Sequence, residues 1–302
     1  MEENRKRHEI INAPYNPVTG LGAVGERKKI SIKDSPIGDM YLPVELIKEN
    51  LFIRRLAKYG FKGYIIRFIK EVEYSEEALN QLWIEFIKYR IIYDFEYWAY
   101  SFIFIKDKVS PKDIPFKLNR AQRRVLNKLE KLRKAGKPIK FILLKARQWG
   151  GSTLVQIYML WIMLVHRRNW NTVICGDVET QSRNVRAMIT KALNKYPSYL
   201  LGETVKFTPF EGSSKNKVIQ NTNCVVSIGS FQKPDTLRSG DISGAHLTEI
   251  GLWRATPGKK PEDLIQSISG SIYDTAYTIL GLESTAKGVG NFFHRTWQQA
   301  VK

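Results

Sequence analysis

A short apolar strand that leads through a glycine pair into a long apolar helix constrains the fold of this chain most. Residues 142–154 read ILLKARQWGGSTL, and the apolar run continues to residue 165. Backbone N–H groups freed by glycine, with the positive end of the following helix, bind phosphate oxygens, and a hydroxyl in the first helical turn can ligate magnesium. The segment therefore predicts a phosphate-binding loop. The alternative is a plain helix start in which Ser152 or Thr153 is the N-cap.

The standard phosphate-loop pattern, GxxxxGK[ST], is only partly present. Its second glycine falls on Gly150 and its hydroxyl on Ser152, but Gly151 occupies the lysine position. Lys145 stands where the first glycine would be, and Arg147 follows two residues later. Because the β- and γ-phosphates still need a cation, we predict that Lys145 replaces the missing lysine. We also predict that Arg147 stabilises the charge that develops on the γ-phosphate.

Around this loop, apolar strands alternate with longer amphipathic helices. The predicted strands are 140–144, 172–175, 224–228, 244–247 and 277–282, and the predicted helices are 120–135, 152–166, 180–193 and 291–301. The polar turn that begins at Glu211 interrupts this alternation, as in an antiparallel hairpin insert. Alternation of this kind predicts an α/β fold with a mostly parallel central sheet flanked by helices.

The chain divides into three segments of different composition. Residues 1–42 hold Gly, Pro and Asn at close intervals and predict a weakly ordered N-terminal arm. Residues 43–112 carry apolar side chains at helical spacing and predict a helical subdomain. Residues 113–302 contain the alternating strands and helices and form the predicted ATP-binding core.

The charge balance indicates a polyanionic partner. The chain has 48 Lys plus Arg against 29 Asp plus Glu, a net charge of +19, while 43% of its residues are hydrophobic. This apolar content excludes a disordered basic tail and predicts a folded, cationic protein. Residues 117–147 hold twelve Lys or Arg and one acid, Glu130, so the positive charge is concentrated just before and within the predicted loop.

Several classes of protein are disfavoured by simple features of the chain. Cys175 and Cys224 lie 49 residues apart without a CxxC or Cys/His cluster, which excludes a disulfide framework or structural zinc site. The polar N-terminus does not match a signal peptide, and the longest apolar run, 154–165, is too short to cross a bilayer. We expect a soluble, intracellular protein that is not secreted.

The loop sequence 145–152, KARQWGGS, resembles that of large terminase subunits, the ATPases that package double-stranded DNA into tailed-phage and herpesvirus capsids. Their loops commonly read as a basic residue, Arg-Gln, any residue, Gly, a variable position and Ser/Thr, and some members carry their lysine at the start of the loop. The resemblance implies a P-loop NTPase of the additional-strand, catalytic-glutamate type that uses ATP and Mg2+. The implied nucleotide-binding residues are Gln122, Lys145, Arg147, Gln148, Trp149, Gly150, Gly151, Ser152 and Thr153.

Two further segments carry the resemblance on either side of the loop. Residues 115–122, PFKLNRAQ, resemble the family's adenine-recognition segment, with Gln122 as the reading amide. Residues 244–250, GAHLTEI, resemble its acidic strand, in which one carboxylate orients water and a neighbour holds magnesium. Thr248 occupies the first acidic position, so Glu249 is the implied catalytic base. Ser152 is an implied metal ligand. Either Thr248 also supports magnesium, through a water, or Glu249 serves the metal and another acid positions the attacking water.

The last segment, 280–288, reads LGLESTAKG and resembles the family's coupling motif, which senses the γ-phosphate. Its implied coupling residues are Glu283, Ser284 and Thr285. Arg238 is a further candidate for reaching a phosphate or a neighbouring subunit's nucleotide.

The resemblance implies an ATPase motor that translocates double-stranded DNA through the portal into a procapsid. The implied partners are DNA, the portal protein, the small terminase subunit and further copies of the chain in a ring. The place of action is the host cytoplasm, transiently on the procapsid, with no membrane. The usual C-terminal nuclease domain is absent from the sequence, so no nuclease activity is expected. The alternatives are a helicase-like P-loop NTPase or a non-hydrolysing nucleic-acid-binding virion protein with a decayed phosphate loop.

Overall fold

The computed structural model describes residues 14–69, 75–107, 109–234 and 241–301. Two compact units make up the chain. The first extends to Asn127 and includes Pro197–Glu203, and the second comprises Lys128–Tyr196 and Thr204–Lys302. The division at residue 112 that the sequence suggests stays a prediction. Within the first unit, Arg123 pairs with Glu96 at 3.0 Å.

The first unit combines a small antiparallel strand pair with helices. Its elements are β1 (Arg27–Ser31), β2 (Asp39–Pro43), α1 (Val44–Glu49), α2 (Leu51–Phe68), α3 (Glu76–Tyr93), α4 (Phe95–Phe102), β3 (Phe104–Lys106) and β4 (Asp113–Pro115). Met40 and Leu42 alternate along β2 and are both fully buried, against Leu46 of α1 and other apolar side chains. Residues 27–31 and 39–42, which lie within the predicted arm 1–42, form strands here, because this alternation supplies an apolar face.

A buried carboxylate stabilises the first unit. Asp94 is fully buried and lies 2.9 Å from the guanidinium of Arg27 and 3.1 Å from that of Arg90. It also accepts a hydrogen bond from the backbone N–H of Tyr97 and so caps α4. Burial raises the pKa of Asp94, but the two guanidinium groups outweigh it and lower the pKa to about 2. This side chain joins β1 to the helices.

The second unit is built on a seven-stranded sheet. Its elements follow α5 (Arg120–Lys134), which the division between the units crosses: β5 (Ile139–Lys145), α6 (Gly151–Trp161), β6 (Thr172–Gly176), α7 (Glu179–Leu193), β7 (Phe207–Phe210), β8 (Ser213–Ile219), β9 (Cys224–Ser230), β10 (Gly244–Thr248), α8 (Pro261–Gly270), β11 (Ile279–Thr285) and α9 (Phe292–Val301). A π-helical turn, Ile162–His166, continues α6, and short 3-10 turns form at Ser198–Leu200, in the first unit, and at Ile250–Leu252.

The strand order β5-β11-β10-β6-β9-β8-β7 confirms the predicted fold class. The first five strands are parallel, and β8 and β7 add the predicted antiparallel hairpin at one edge. The central strands β6 and β10 are buried along their whole length, as expected for a parallel sheet covered on both faces. β11 lies between β5, which leads into the loop, and β10, which leads to Glu249. This is the additional-strand arrangement.

Candidate functional site

Three parallel strands of the second unit end beside one another and bring the predicted site residues to one edge of the sheet. Thr285 of β11 is in register with Lys145 at the end of β5. Thr248 at the end of β10 is in register with Glu283 of β11. In open α/β sheets the carboxyl ends of the strands are where ligands bind.

The loop between β5 and α6 has the backbone of an anion-binding helix start. Gln148 has φ 61° and Gly150 has φ 84°, both in the left-handed region. Gly150 is the N-cap of α6, and no side chain caps the helix. Ser152 therefore lies inside the first turn, which rules out the alternative that Ser152 or Thr153 is the N-cap. First-turn N–H groups left without a side-chain cap suit a phosphate.

Gly151, at the position of the missing lysine, is closed to a side chain. A Cβ atom placed there would lie 2.8 Å from Cζ2 of Trp149 and 3.3 Å from Cδ of Lys145. The indole and the stem of Lys145 thus occupy the space that a standard lysine would need. The two departures from the standard pattern, a glycine at 151 and a lysine at 145, therefore belong together.

Lys145 folds back over the loop from the end of its strand, as the sequence predicts. Its ammonium donates to Oε1 of Glu249 at 2.9 Å and to Oγ of Ser152 at 3.2 Å. The side chain is only 10% exposed. Lys145 is thus placed to reach a phosphate on the loop; the role itself stays a prediction.

Both carboxylate oxygens of Glu249 accept hydrogen bonds. It follows β10 with φ 55°, in the left-handed region. Oε1 accepts from Lys145, and Oε2 accepts from the hydroxyl of Thr285 at 3.0 Å and from its backbone N–H at 3.3 Å. Thr285, predicted to be a coupling residue, therefore contacts the predicted catalytic base directly.

Glu283 carries a fully buried carboxylate beside the loop. Its Oε1 accepts from the hydroxyls of Thr248, at 2.8 Å, and Ser152. It also lies 3.0 Å from Nε2 of His246 and 3.6 Å from the ammonium of Lys145. Burial raises the pKa of Glu283, but His246, Lys145 and the Ser152 hydroxyl outweigh it and hold the pKa at about 2.

The sequence assigned Glu283 to the coupling motif and missed this contact with Ser152. A usable signal was present, because a charged residue directly follows the apolar stretch ILGL within one strand. Buried charges are rare unless they are paired or bind a metal.

The remaining predicted residues spread around this centre. Arg147 and Gln148 are exposed and line an open cleft of about 300 Å³, together with Lys145, Gln181, Glu249, Leu252 and Thr285. The hydroxyl of Thr153 donates to Sδ of Met188 on α7. Ser284 accepts from the backbone N–H of Gly251 at 2.9 Å, in the turn after Glu249.

Gln122, the predicted adenine reader, belongs to the first unit. Its Oε1 accepts from the backbone N–H of Asn119 at 2.8 Å, and Oδ1 of Asn119 accepts from the backbone N–H of Gln122 at 3.0 Å. This reciprocal capping box starts α5. The role of Gln122 toward adenine stays a prediction, and Arg238 lies outside the described residues.

The oxygen atoms at the strand ends fit a magnesium ion. Within the described ranges, no group of three His, Cys, Asp or Glu side chains is arranged to hold a metal. Magnesium needs no such group, because beside substrate phosphates it takes one or two carboxylates and keeps several waters. Ser152 and Thr248 present hydroxyls, and Oε2 of Glu283 is buried without a hydrogen-bond partner among the described residues. An orphaned carboxylate oxygen of this kind suits a bound cation.

Over the residues that the structure covers, no helix combines the length and the apolar character needed to cross a bilayer.

Comparison with known proteins supports the fold. No protein-family model and no curated protein matches the sequence. The structure is similar to the large terminase of bacteriophage HK97, with a TM-score of 0.55 and 20% identity over 68% of this chain. The match covers 40% of the length of the HK97 protein. This likeness confirms the fold that the resemblance implied, that of a phage large terminase ATPase domain.

Two further solved structures match at lower TM-scores. The large terminase of a thermophilic bacteriophage, solved in complex with ADP, has a TM-score of 0.42 and 13% identity, over 61% of this chain and 42% of that one. The N-terminal domain of the DNA-packaging ATPase from bacteriophage phi29 has a TM-score of 0.41 and 9% identity, over 56% and 84%.

Proposed function

We propose that this chain is the ATPase motor of a viral DNA-packaging machine, hydrolysing ATP to move double-stranded DNA through a portal into a procapsid. The observation that carries the proposal is the meeting of Lys145, Ser152 and Glu249 at the end of a phosphate-binding loop. The loop lies on a sheet with the fold of the HK97 large terminase. The proposal extends that likeness from fold to activity.

The polyphosphate of ATP would lie on the first turn of α6, where uncapped N–H groups and the helix dipole favour an anion. Lys145 and Arg147 would contact its terminal oxygens, and Lys145 then replaces the lysine that Gly151 cannot supply. Ser152 and Thr248 would hold the magnesium ion, the latter through a water. When bound, the ion neutralises charge on the phosphates.

Glu249 would act as the catalytic base. A water aligned with the γ-phosphate gives its proton to the carboxylate while its oxygen bonds to phosphorus and the bond to the leaving ADP oxygen breaks. In the structure Oε1 of Glu249 is held by Lys145. A bound γ-phosphate competes for the same ammonium, so ATP binding would free this oxygen to accept the proton. The Lys145–Glu249 pair thus keeps the base inactive until ATP arrives.

Thr285 and Ser284 would pass the change on to the rest of the motor. Thr285 donates twice to Glu249, and Ser284 holds the turn that follows it. Glu249 gains a proton during hydrolysis and loses a partner when Lys145 moves, so the end of β11 responds to the state of the nucleotide.

The positive charge of α5 would contact DNA phosphates, with the portal protein, the small terminase subunit and further copies of the chain as assembly partners. Not every basic residue of α5 is available for this. Arg133 is buried in a pair with Glu130, at 2.8 Å, and Arg123 pairs with Glu96. The exposed basic side chains of the helix are Arg120, Arg124, Lys128, Lys131 and Lys134.

The deciding experiment measures ATP turnover of the wild type alone, with double-stranded DNA and with portal-bearing procapsids, beside Lys145→Ala and Glu249→Gln. We expect stimulated turnover in the wild type and its loss in both variants. Nucleotide binding without turnover would favour the non-hydrolysing virion protein, and strand separation would favour the helicase-like NTPase.

A further inference from the structure

The end of β10 lacks one of the two acids that the proposed reaction calls for. Thr248 stands where phosphate-loop ATPases of this type carry the acid that serves the metal, and Glu249 follows it. A threonine hydroxyl is a neutral ligand, so the site would be one negative charge short. A carboxylate from another strand can restore the charge if it reaches the same place.

Glu283 of β11 reaches that place. Parallel pairing puts it directly beside Thr248, and its Oε1 accepts from the Thr248 hydroxyl at 2.8 Å. The same oxygen accepts from Ser152, the hydroxyl expected to contact the metal. One carboxylate oxygen therefore joins the loop serine to the position of the missing acid.

We propose that Glu283 supplies the metal-binding carboxylate of this ATPase, in place of an acid at position 248, and that Glu249 is left to act as the base. The assignment rests on the proposed function, since it concerns the same ATP site. It moves Glu283 from the coupling motif to the metal site and decides between the two roles that the sequence left open for Glu249.

The hydrogen bonds around Ser152 are those of a metal ligand. Its hydroxyl donates a hydrogen bond to Glu283, so the lone pairs of the Ser152 oxygen are directed toward other groups. The ammonium of Lys145 is 3.2 Å from that oxygen and 3.6 Å from Glu283. Lys145 thus places positive charge beside both oxygen atoms, where the cation would sit, and phosphate binding would draw it away.

The other side of Glu283 is fixed by buried polar groups. Nδ1 of His246 is 2.6 Å from Nε2 of Gln156, and Nε2 of His246 is 3.0 Å from Glu283. Nδ1 is within hydrogen-bond distance of Gln156, whereas Nε2 contacts Glu283 without forming a hydrogen bond. Groups that orient a ligand in this way preserve its geometry and charge. Oε2 of Glu283 has no hydrogen-bond partner among the described residues and is left for the cation.

Glu249 is less suited to the metal. Its Oε2 is held by the hydroxyl and the backbone N–H of Thr285, and its Oε1, bound by Lys145, is the oxygen that ATP binding would release toward the attacking water. Its side chain is 23% exposed and lines the open cleft, whereas Glu283 is fully buried beside the loop. An exposed carboxylate at the cleft can meet a water, and a buried one beside Ser152 can meet a cation.

The test measures Mn2+ binding, in place of Mg2+, to the full chain with ADP by electron paramagnetic resonance. Glu283→Gln, Glu249→Gln and the exposed control Asp263→Asn are compared with the wild type. We expect Glu283→Gln to weaken Mn2+ binding by roughly tenfold or more. Glu249→Gln and Asp263→Asn should leave the Mn2+ affinity within about twofold of wild type. ADP affinity in the presence of EDTA should be unchanged in Glu283→Gln, which separates loss of the metal from loss of the nucleotide site.

Several outcomes would overturn the assignment of Glu283. Equal Mn2+ affinity in Glu283→Gln and wild type, or loss in Glu249→Gln alone, would overturn the assignment while leaving the proposed ATPase intact. No binding of ADP by the wild type would overturn both. If Glu283→Gln does not fold, Glu283→Asp keeps the charge but withdraws it by one methylene, and unchanged Mn2+ affinity there would also overturn it.

Discussion

The ammonium of Lys145 forms an ion pair with Oε1 of Glu249, at 2.9 Å across the ends of two strands that are not adjacent in the sheet. The residue predicted to bind phosphate and the residue predicted to activate water are thus paired with each other. The strand between them, β11, contributes Thr285 to the same carboxylate. Nucleotide binding and base activation would be coupled through this one pair.

Replacing Lys145 should abolish turnover. Lys145→Ala removes the cation that replaces the standard lysine, and we expect kcat to fall by roughly 10²-fold or more, as when a charge-stabilising donor is lost. Arg147→Ala should also lower kcat. Steady-state phosphate release checks both. Lys137→Ala is the matched control, because Lys137 precedes β5 at the opposite edge of the sheet, and unaltered turnover in Lys145→Ala and Arg147→Ala would contradict the cation roles.

Glu249→Gln should bind ATP but not hydrolyse it. The amide keeps the shape of the side chain but cannot take the proton of the water, so we expect kcat to fall by roughly 10² to 10⁴-fold. ATP affinity should be kept or improved, because Lys145 loses the carboxylate that competes with phosphate. Equilibrium binding and turnover measured together check this. Retained turnover would remove Glu249 from the mechanism.

Restoring the standard lysine should fail unless Trp149 is also changed. Gly151→Lys puts a Cβ atom 2.8 Å from the indole, and we expect a loss of roughly 1–3 kcal/mol in the free energy of unfolding from overpacking. Adding Trp149→Ala should recover part of that loss. In the Lys145→Ala background the same two substitutions should restore turnover. Thermal unfolding and phosphate release test the pair, and equal stability of Gly151→Lys and wild type would disprove the steric explanation.

The Asp94 carboxylate should make stability sensitive to acid. Its pKa is lowered to about 2 in the folded protein against an ordinary 3.8. The unfolded chain therefore takes up the proton first as the pH falls. The stabilisation, roughly 2 to 3 kcal/mol, is complete above about pH 4 and is lost as the pH falls toward 2.

Asp94→Asn should lose this acid dependence and unfold more easily at neutral pH. The change leaves Arg27 and Arg90 buried beside a neutral amide, at a cost of roughly 3–5 kcal/mol. Denaturant unfolding at pH 7 and pH 3 measures the difference between variant and wild type, with the exposed Asp263→Asn as control. An equal loss of stability between the two pH values in Asp94→Asn would show that Asp94 is not the titrating group.

DNA binding through α5 should depend on salt. Each phosphate contact lowers log K by roughly 0.9 per decade of salt concentration. Lys128→Ala with Lys131→Ala should therefore weaken binding uniformly across DNA sequences and reduce the salt slope. Fluorescence anisotropy at several salt concentrations measures both, with Lys260→Ala as a control outside the helix. A salt-insensitive affinity would indicate a protein partner for this surface instead.

The local pattern was enough for most of the second unit. The predicted strand 140–144 and the predicted helix 180–193 match β5 and α7 closely, because continuous apolar runs and helical periodicity are read directly from neighbouring residues. The first unit shows the limit of such reading. The Gly- and Pro-rich composition around β1 and β2 predicted a weakly ordered arm, although Met40 and Leu42 alternate as in a strand.

The sequence by itself determined the type of fold and the strand, glycine-pair loop and helix around Lys145, because these follow from residues close together in the chain. It predicted Lys145 as a partner for ATP from the loop, and Glu249 from the family resemblance. Only the tertiary structure decided the place of Glu283. It is 131 residues from Ser152 and 35 from Thr248 along the chain, and contacts of that length depend on strand order. The insertion of β11 between β5 and β10 brings this buried carboxylate against both hydroxyls, and no local pattern records which strands become neighbours.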